Sequence, residues 1–193
     1  MKIGIFGGTF DPIHKGHTSL CTELTERGIV DKIIITVTYI TPLKERKITD
    51  SNHRLNMARL IENEAFSVSD YEISQGGKSY TFNTLEHFSA LYPKDDIYFI
   101  LGADMFLDLP NWYKYQELIK KYNFIVIDRE NSLKNMTKRP ENYPYNAKAV
   151  FTDIKTPDIS STIIRERLAQ NLDVSGLVDE RVLNYIKEYK LYD

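Results

Sequence analysis

The sequence predicts an α/β fold: a Rossmann-like parallel sheet with helices on both faces and a small helical portion at the carboxyl end. Three observations carry that expectation. Short β-branched runs alternate with longer segments of helical period. The stretch IIITV within Lys32–Ile40 is continuously apolar, as a strand covered on both faces requires. The chain has 193 residues, 42% of them hydrophobic and 12% aromatic, enough for one domain over 1–193 with a sizeable core.

Taken in order, Lys2–Phe6 reads as a strand, and Gly16–Arg27 as a helix with Leu20, Cys21 and Leu24 facing inward. Lys32–Ile40 is the second strand. Asp50 or Ser51 caps a helix carrying Leu55, Ala58, Leu60 and Ile61. Ser67–Ile73 alternates as a strand does. Thr81–Tyr92 is helical and stops at Pro93, and Ile97–Leu101 is a buried strand running into a Gly102-Ala103-Asp104 turn. Tyr113–Tyr122 is helical and Phe124–Asp128 a strand. The polar segment Glu130–Lys148 contains Pro140 and Pro144 and reads as a mobile surface loop. Ala149–Ile154 is the last strand, and helices follow at Ser161–Gln170 and Asp179–Tyr189. His53 reads as part of a helix start and His87 as a helix-surface residue.

Charge and cysteine usage narrow the function classes. Lys+Arg number 25 and Asp+Glu 27, a net charge of −2, which argues against a general nucleic-acid binder and leaves room for a local basic cluster around a small anion. Cys21 is the sole cysteine, so neither an intrachain disulfide nor a multi-cysteine metal site can form. No leader pattern and no apolar run near the roughly 20 residues of a membrane span are present. The expectation is a soluble cytoplasmic protein that engages neither nucleic acid nor membrane. Its oligomeric state is not written in the sequence.

In parallel sheets ligands bind beyond the carboxyl ends of the strands. The stretch GGTFDPIHKGH, Gly7–His17, sits at such an end. Its glycines permit a tight turn and close approach of backbone N–H groups to a ligand. The following helix begins with unpaired N–H groups and partial positive charge, a site for phosphate. An imidazolium there is opposed by the helix dipole, so His14 and His17 make sense neutral or beside bound negative charge. Either way they can stabilise charge growing on a phosphorus centre and its leaving oxygen. A turn with no further role, and a metal held by His14 and His17, remain open at this point. No Glu lies between the histidines and no cysteine lies beside them, which disfavours zinc. Gly4, Gly7 and Gly8 do not form the G-x-G-x-x-G of dinucleotide-binding dehydrogenases.

DISSTIIRERL, Asp158–Leu168, is a second constellation. Three hydroxyl residues precede a helix where one would suffice as a cap, and Arg165 and Arg167 follow early, where the dipole opposes cations. An anion at that terminus resolves the conflict, with Arg165 on phosphate oxygens. A solvated helix start is the alternative.

GGTFDPIHKGH resembles the signature of the H-x-G-H nucleotidyltransferases, and in particular of the nicotinate-mononucleotide adenylyltransferases. Ile159, Ser160, Ser161, Thr162, Ile164 and Arg165 fall on the I-S-S-T-x-I-R motif that binds ATP phosphates in that family. GGKSYTFNTLEHF and LGADMFLDLPNWYKYQEL are similar to the same branch. The resemblance covers essentially the whole chain and implies a nucleotidyltransferase-type fold. It further implies adenylyl transfer from ATP to nicotinate mononucleotide, with Mg²⁺ accompanying ATP. It places catalysis at His14, His17 and Arg165, and ATP contacts at Gly7, Gly8, Thr9, Phe10, Lys44, Ile159, Ser160, Ser161 and Thr162. It assigns Thr81, Trp112 and Tyr113 to a pyridine pocket, and Gly102 and Asp104 to ribose. The exit of the second strand, VTYITPLK, departs from the family's P-N-x-x-P-P-H-K: Thr38, Thr41 and Leu43 stand where Asn, Pro and His are usual. Lys44 either contacts the triphosphate or, with Arg46 and Lys47, belongs to a solvated loop. Two rival functions are a transferase with another acceptor or CTP, and a nucleotide sensor without catalysis.

Overall fold

The computed structural model describes residues 1–40, 48–128, 133 and 143–192. Six parallel strands form one sheet: β1 (Lys2–Gly8), β2 (Lys32–Val37), β3 (Phe66–Ser69), β4 (Asp96–Gly102), β5 (Asn123–Ile127) and β6 (Lys148–Thr152). The order is β3-β2-β1-β4-β5-β6. β1 therefore lies between β2 and β4, and the direction of winding reverses at the β1–β4 pair, where Ile5 is level with Phe99. Such a switch point opens a crevice at the carboxyl ends of the two strands.

Strand side chains alternate between two cores because successive residues face opposite sides. Ile33, Ile35 and Val37 pack with Leu20, Cys21 and Leu24 of α1 (Lys15–Glu26) and Leu55, Met57 and Ala58 of α2 (Ser51–Arg59). Ile164 of α7 (Ser161–Ala169) and Val182 and Ile186 of α8 (Glu180–Glu188) complete that layer. Ile34, Ile3 and Ile5 face the other way, toward Phe82, Leu85 and Phe88 of α4 (Thr81–Leu91), Phe106 of α5 (Ala103–Asp108) and Leu118 of α6 (Tyr115–Lys121). The continuous IIITV run is thus split residue by residue between the two layers, as a doubly covered strand demands.

Several expected elements differ in extent or type. β2 stops at Val37, where the Thr38 amide turns to donate to Gly8 O at 2.9 Å. The expected strand Ser67–Ile73 ends at Ser69. Tyr71–Gln75 is a helix instead, α3, because Ile73 packs into the apolar core while Glu72 turns inward, a helical rather than a strand pattern. Gly102-Ala103-Asp104 is not a free turn but the entry to α5, with Gly102 as its N-cap. The expected helix at Tyr113 begins at Tyr115, after Lys114 in the left-handed region at φ 54°. α2 closes at Arg59, leaving Leu60 exposed while Ile61 stays in the core. Asp50 caps α2 by accepting from the Asn52 amide. Most of the segment Glu130–Lys148 lies outside the described residues. No helix among the described residues is long and apolar enough to cross a membrane.

Candidate active site

Both motifs converge on one loop, Thr9–Pro12, which follows β1. Phe10 takes a left-handed backbone at φ 47°, uncommon for a residue with a Cβ, and its side chain is buried. Its ring meets the His17 ring edge-on at 4.9 Å. His14 is the N-cap of α1 and His17 stands three residues on, their rings stacked at 3.6 Å. The His14 amide donates to His17 Nδ1 at 3.3 Å. With Nδ1 accepting, the proton of a neutral His17 is carried by Nε2. Gly16 lets another segment come close: a Cβ there would stand 3.3 Å from Pro157 O and 3.1 Å from the His14 ring.

From the far end of the chain, α7 grips the same loop. Ser161 Oγ donates to Pro12 O at 2.9 Å, and Arg165 Nη1 donates to Asp11 O at 2.6 Å. Arg165 Nη2 also donates to Thr162 Oγ1 at 3.0 Å, while Ser160 caps the helix by accepting from the Ile163 amide. Ile159 packs against the core beside them. Arg167 does not stand early in α7 as expected. It lies in the last turn of α7, not the first, where the dipole favours a cation, and it donates to Asp173 O at 3.0 Å.

A cavity of about 440 Å³ opens at the switch point. It brings together Gly7, Gly8 and Thr9 from the end of β1 with Thr81, Asp104, Trp112 and Tyr113. Trp112 is fixed by Nε1 donating to Asp108 Oδ2 at 3.1 Å and by an edge contact with Phe99. Tyr113 is 47% exposed and leans on Tyr80 at 4.7 Å, so aromatic surface flanks the opening. The Asp104 carboxylate folds back over Gly102, 2.7 Å from where a Cβ would stand, so a larger residue there would push the carboxylate aside. His14, His17 and Arg165 do not line this cavity. They join it through the Thr9–Pro12 loop. Lys44, Thr41 and Leu43 lie outside the described residues; Thr38 borders the cavity. Among the described residues no three or more His, Cys, Asp or Glu side chains gather to hold a metal ion.

Sequence reading missed three supports. Arg54 is 1% exposed and donates to the carbonyls of Thr49, Thr9, Thr38 and Tyr39 at 2.7–3.1 Å, joining the loop after β1 to the exit of β2. Its signal was present: Arg54, Met57, Ala58 and Ile61 share one helical stripe, so a cation there had to be buried and bonded. Tyr192, the penultimate residue of the sequence, donates its hydroxyl to Asp11 Oδ1 at 2.8 Å. Burial first, then the nearby Asp11 charge, raises its phenol far above the usual range. Glu72 borders the cavity, buried, with Oε1 accepting from Thr84 Oγ1 at 2.8 Å. His53 and His87 do stand on helices: His53 faces the Tyr185 hydroxyl at 2.9 Å and His87 stacks on Tyr71 at 3.8 Å.

Residues 5–167 match the cytidylyltransferase-like family model. The nicotinate-nucleotide adenylyltransferase of Bacillus subtilis (strain 168) is 37% identical over 195 residues, covering 100% of this chain and 98% of that protein. The structure of Plasmodium falciparum nicotinic acid mononucleotide adenylyltransferase complexed with NaAD shares the fold, with a TM-score of 0.77 at 24% identity over 100% of this chain and 97% of that one. The structure of the same Plasmodium protein complexed with APC superposes at a TM-score of 0.75 and 24% identity, again over 100% and 97%.

Proposed function

We propose, from the premise that the chain belongs to the cytidylyltransferase-like family and to its nicotinate-nucleotide adenylyltransferase branch, how its own residues carry out the reaction. The enzyme transfers the adenylyl group of ATP to nicotinate mononucleotide, giving deamido-NAD and pyrophosphate, a step of NAD biosynthesis. A phosphate oxygen of the mononucleotide forms a bond to the α-phosphorus of ATP while the bond to the pyrophosphate oxygen breaks. The nucleophile is already an anion, so no protein base and no covalent intermediate is needed. What remains for the protein is alignment and neutralisation of charge.

The mononucleotide occupies the cavity at the switch point. Its pyridine ring lies against Trp112 and Tyr113 with Thr81 at the ring carboxylate, and Gly102 and Asp104 meet ribose. The ATP phosphates lie along Gly7–Phe10 and the α1 amino terminus, reached by Ile159–Thr162 and Lys44. His14 and His17 face the α-phosphoryl group and departing pyrophosphate, His17 donating from Nε2. Arg165 carries five donors, so its fork can hold Asp11 O and also meet a phosphate oxygen. Mg²⁺ enters with ATP as part of the nucleotide substrate, held mainly by phosphates and water. Residues 1–193 act as one catalytic unit, and an ATP-dependent reaction supports a cytoplasmic setting.

The observation that carries this reading is the pair of bonds from α7 to the Asp11 and Pro12 carbonyls, which makes two distant motifs one structure. Incubating the enzyme with ATP and a panel of phosphate acceptors tests it. Deamido-NAD and pyrophosphate are expected in equal amounts from nicotinate mononucleotide. Faster turnover of an unrelated acceptor, or of CTP in place of ATP, would overturn it.

A further inference from the structure

Glu72 stands out among the buried titratable groups that the mechanism does not use. It stands on α3, lines the cavity assigned to the mononucleotide, and is 7% exposed. Oε1 accepts from Thr84 Oγ1, Oε2 is closed off from solvent, and the Ser79 and Thr36 hydroxyls also bear on the carboxyl. Ser79 and Thr81 border the same cavity, and the Ser79 hydroxyl that acts on the Glu72 carboxyl belongs to the segment expected to meet the ring carboxylate.

We propose that Glu72 is a specificity-determining residue of the pyridine subsite: as a neutral acid it admits the nicotinate carboxylate, and as a carboxylate it repels it. The inference rests on the mononucleotide occupying this cavity. Burial raises the Glu72 carboxyl above the usual range, opposed by the hydroxyls of Thr84, Ser79 and Thr36. The ionisable groups around it are Tyr71 beside it on α3, itself raised by burial and then by the Glu72 charge, and Tyr80, Asp104 and Tyr113 on the cavity wall. A second carboxylate brought into such a site favours the protonated acid further. Nicotinate binding is therefore coupled to a proton on Glu72, and a neutral nicotinamide ring is not.

The test compares kcat/KM for nicotinate and nicotinamide mononucleotides across roughly pH 5.5 to 9, the range in which buried glutamates titrate. Their phosphates ionise alike near pH 6, so that effect cancels in the ratio. The nicotinate-to-nicotinamide ratio is expected to fall about tenfold or more as pH rises, the equivalent of one pKa unit of coupling. Glu72→Gln should hold the ratio at its low-pH value throughout. Thr84→Val, which removes a bond favouring the carboxylate, should move the fall to higher pH and keeps the question answerable if the first variant does not fold. A flat wild-type ratio, or the same fall in Glu72→Gln, overturns the proposal. Trp112→Ala separates the two readings. A raised KM for both mononucleotides with a flat wild-type ratio sinks the role of Glu72 alone, whereas unchanged KM values remove the cavity assignment and this inference with it.

Discussion

His17 has its Nδ1 engaged by the backbone and its ring held between His14 and Phe10, so one donor is aimed by contacts on three sides. Such preorganised donors lower a barrier because no reorganisation is needed as charge develops. His17→Ala is expected to cut kcat by about 10²–10³, the usual loss for one such donor. The melting temperature should stay near that of the wild type, which calorimetry would check. Trp112→Ala is expected to raise KM for nicotinate mononucleotide with a smaller effect on KM for ATP, measured under pyrophosphate-coupled steady state. Arg54 behaves differently. Its removal leaves four carbonyls of two loops without their donor, and Arg54→Ala should cost about 3 kcal/mol or more in urea unfolding.

The two motif helices show how elements transmit residue chemistry. α7 is capped by Ser160, and the cap sets the phase of Ser161 and Arg165 one turn on. Ser160→Ala should cost about 1 kcal/mol of stability and raise KM for ATP together, because the cap and the grip on the loop share one turn. α1 buries Cys21, whose thiol desolvation pushes up to about 12 from an ordinary value of 9.0. The native state thus keeps a proton that the unfolded chain gives up first. This group's stability is full below about pH 9 and is lost as pH climbs toward 12. Native protein should resist thiol reagents at neutral pH and react only on unfolding, and Cys21→Ala should soften the alkaline loss of stability.

Elements also mark the limits of sequence legibility. The IIITV strand and the α1 stripe of Leu20, Cys21 and Leu24 were plain because apolar periodicity is set by burial. Ser67–Ile73 is a strand only as far as Ser69, and the change to helix from Tyr71 shows only in three dimensions, where Glu72 and Ile73 both turn inward. α5 was hidden since a six-residue helix entered from glycine carries little periodic signal.

At the scale of the whole molecule, the two loudest motifs predicted a common phosphate site, and the fold supplies the link. Ser161 and Arg165 reach partners 149 and 154 residues away in sequence. Sequence could not show that they bind the backbone of the signature loop itself, since any residue offers a carbonyl. Tyr192 left no pattern either, because its partner, the Asp11 carboxylate, is 181 residues away in sequence. The central claim is that the His17 and Arg165 segments work as one unit on the phosphates. The most direct test is a double-mutant cycle in kcat for adenylyl transfer, using His17→Ala, Arg165→Met and the pair. The account predicts a large loss in each single variant and a double loss well short of their product, a coupling of about 0.5–3 kcal/mol. Losses that simply multiply, or a folded single variant that turns over at the wild-type rate, would contradict it.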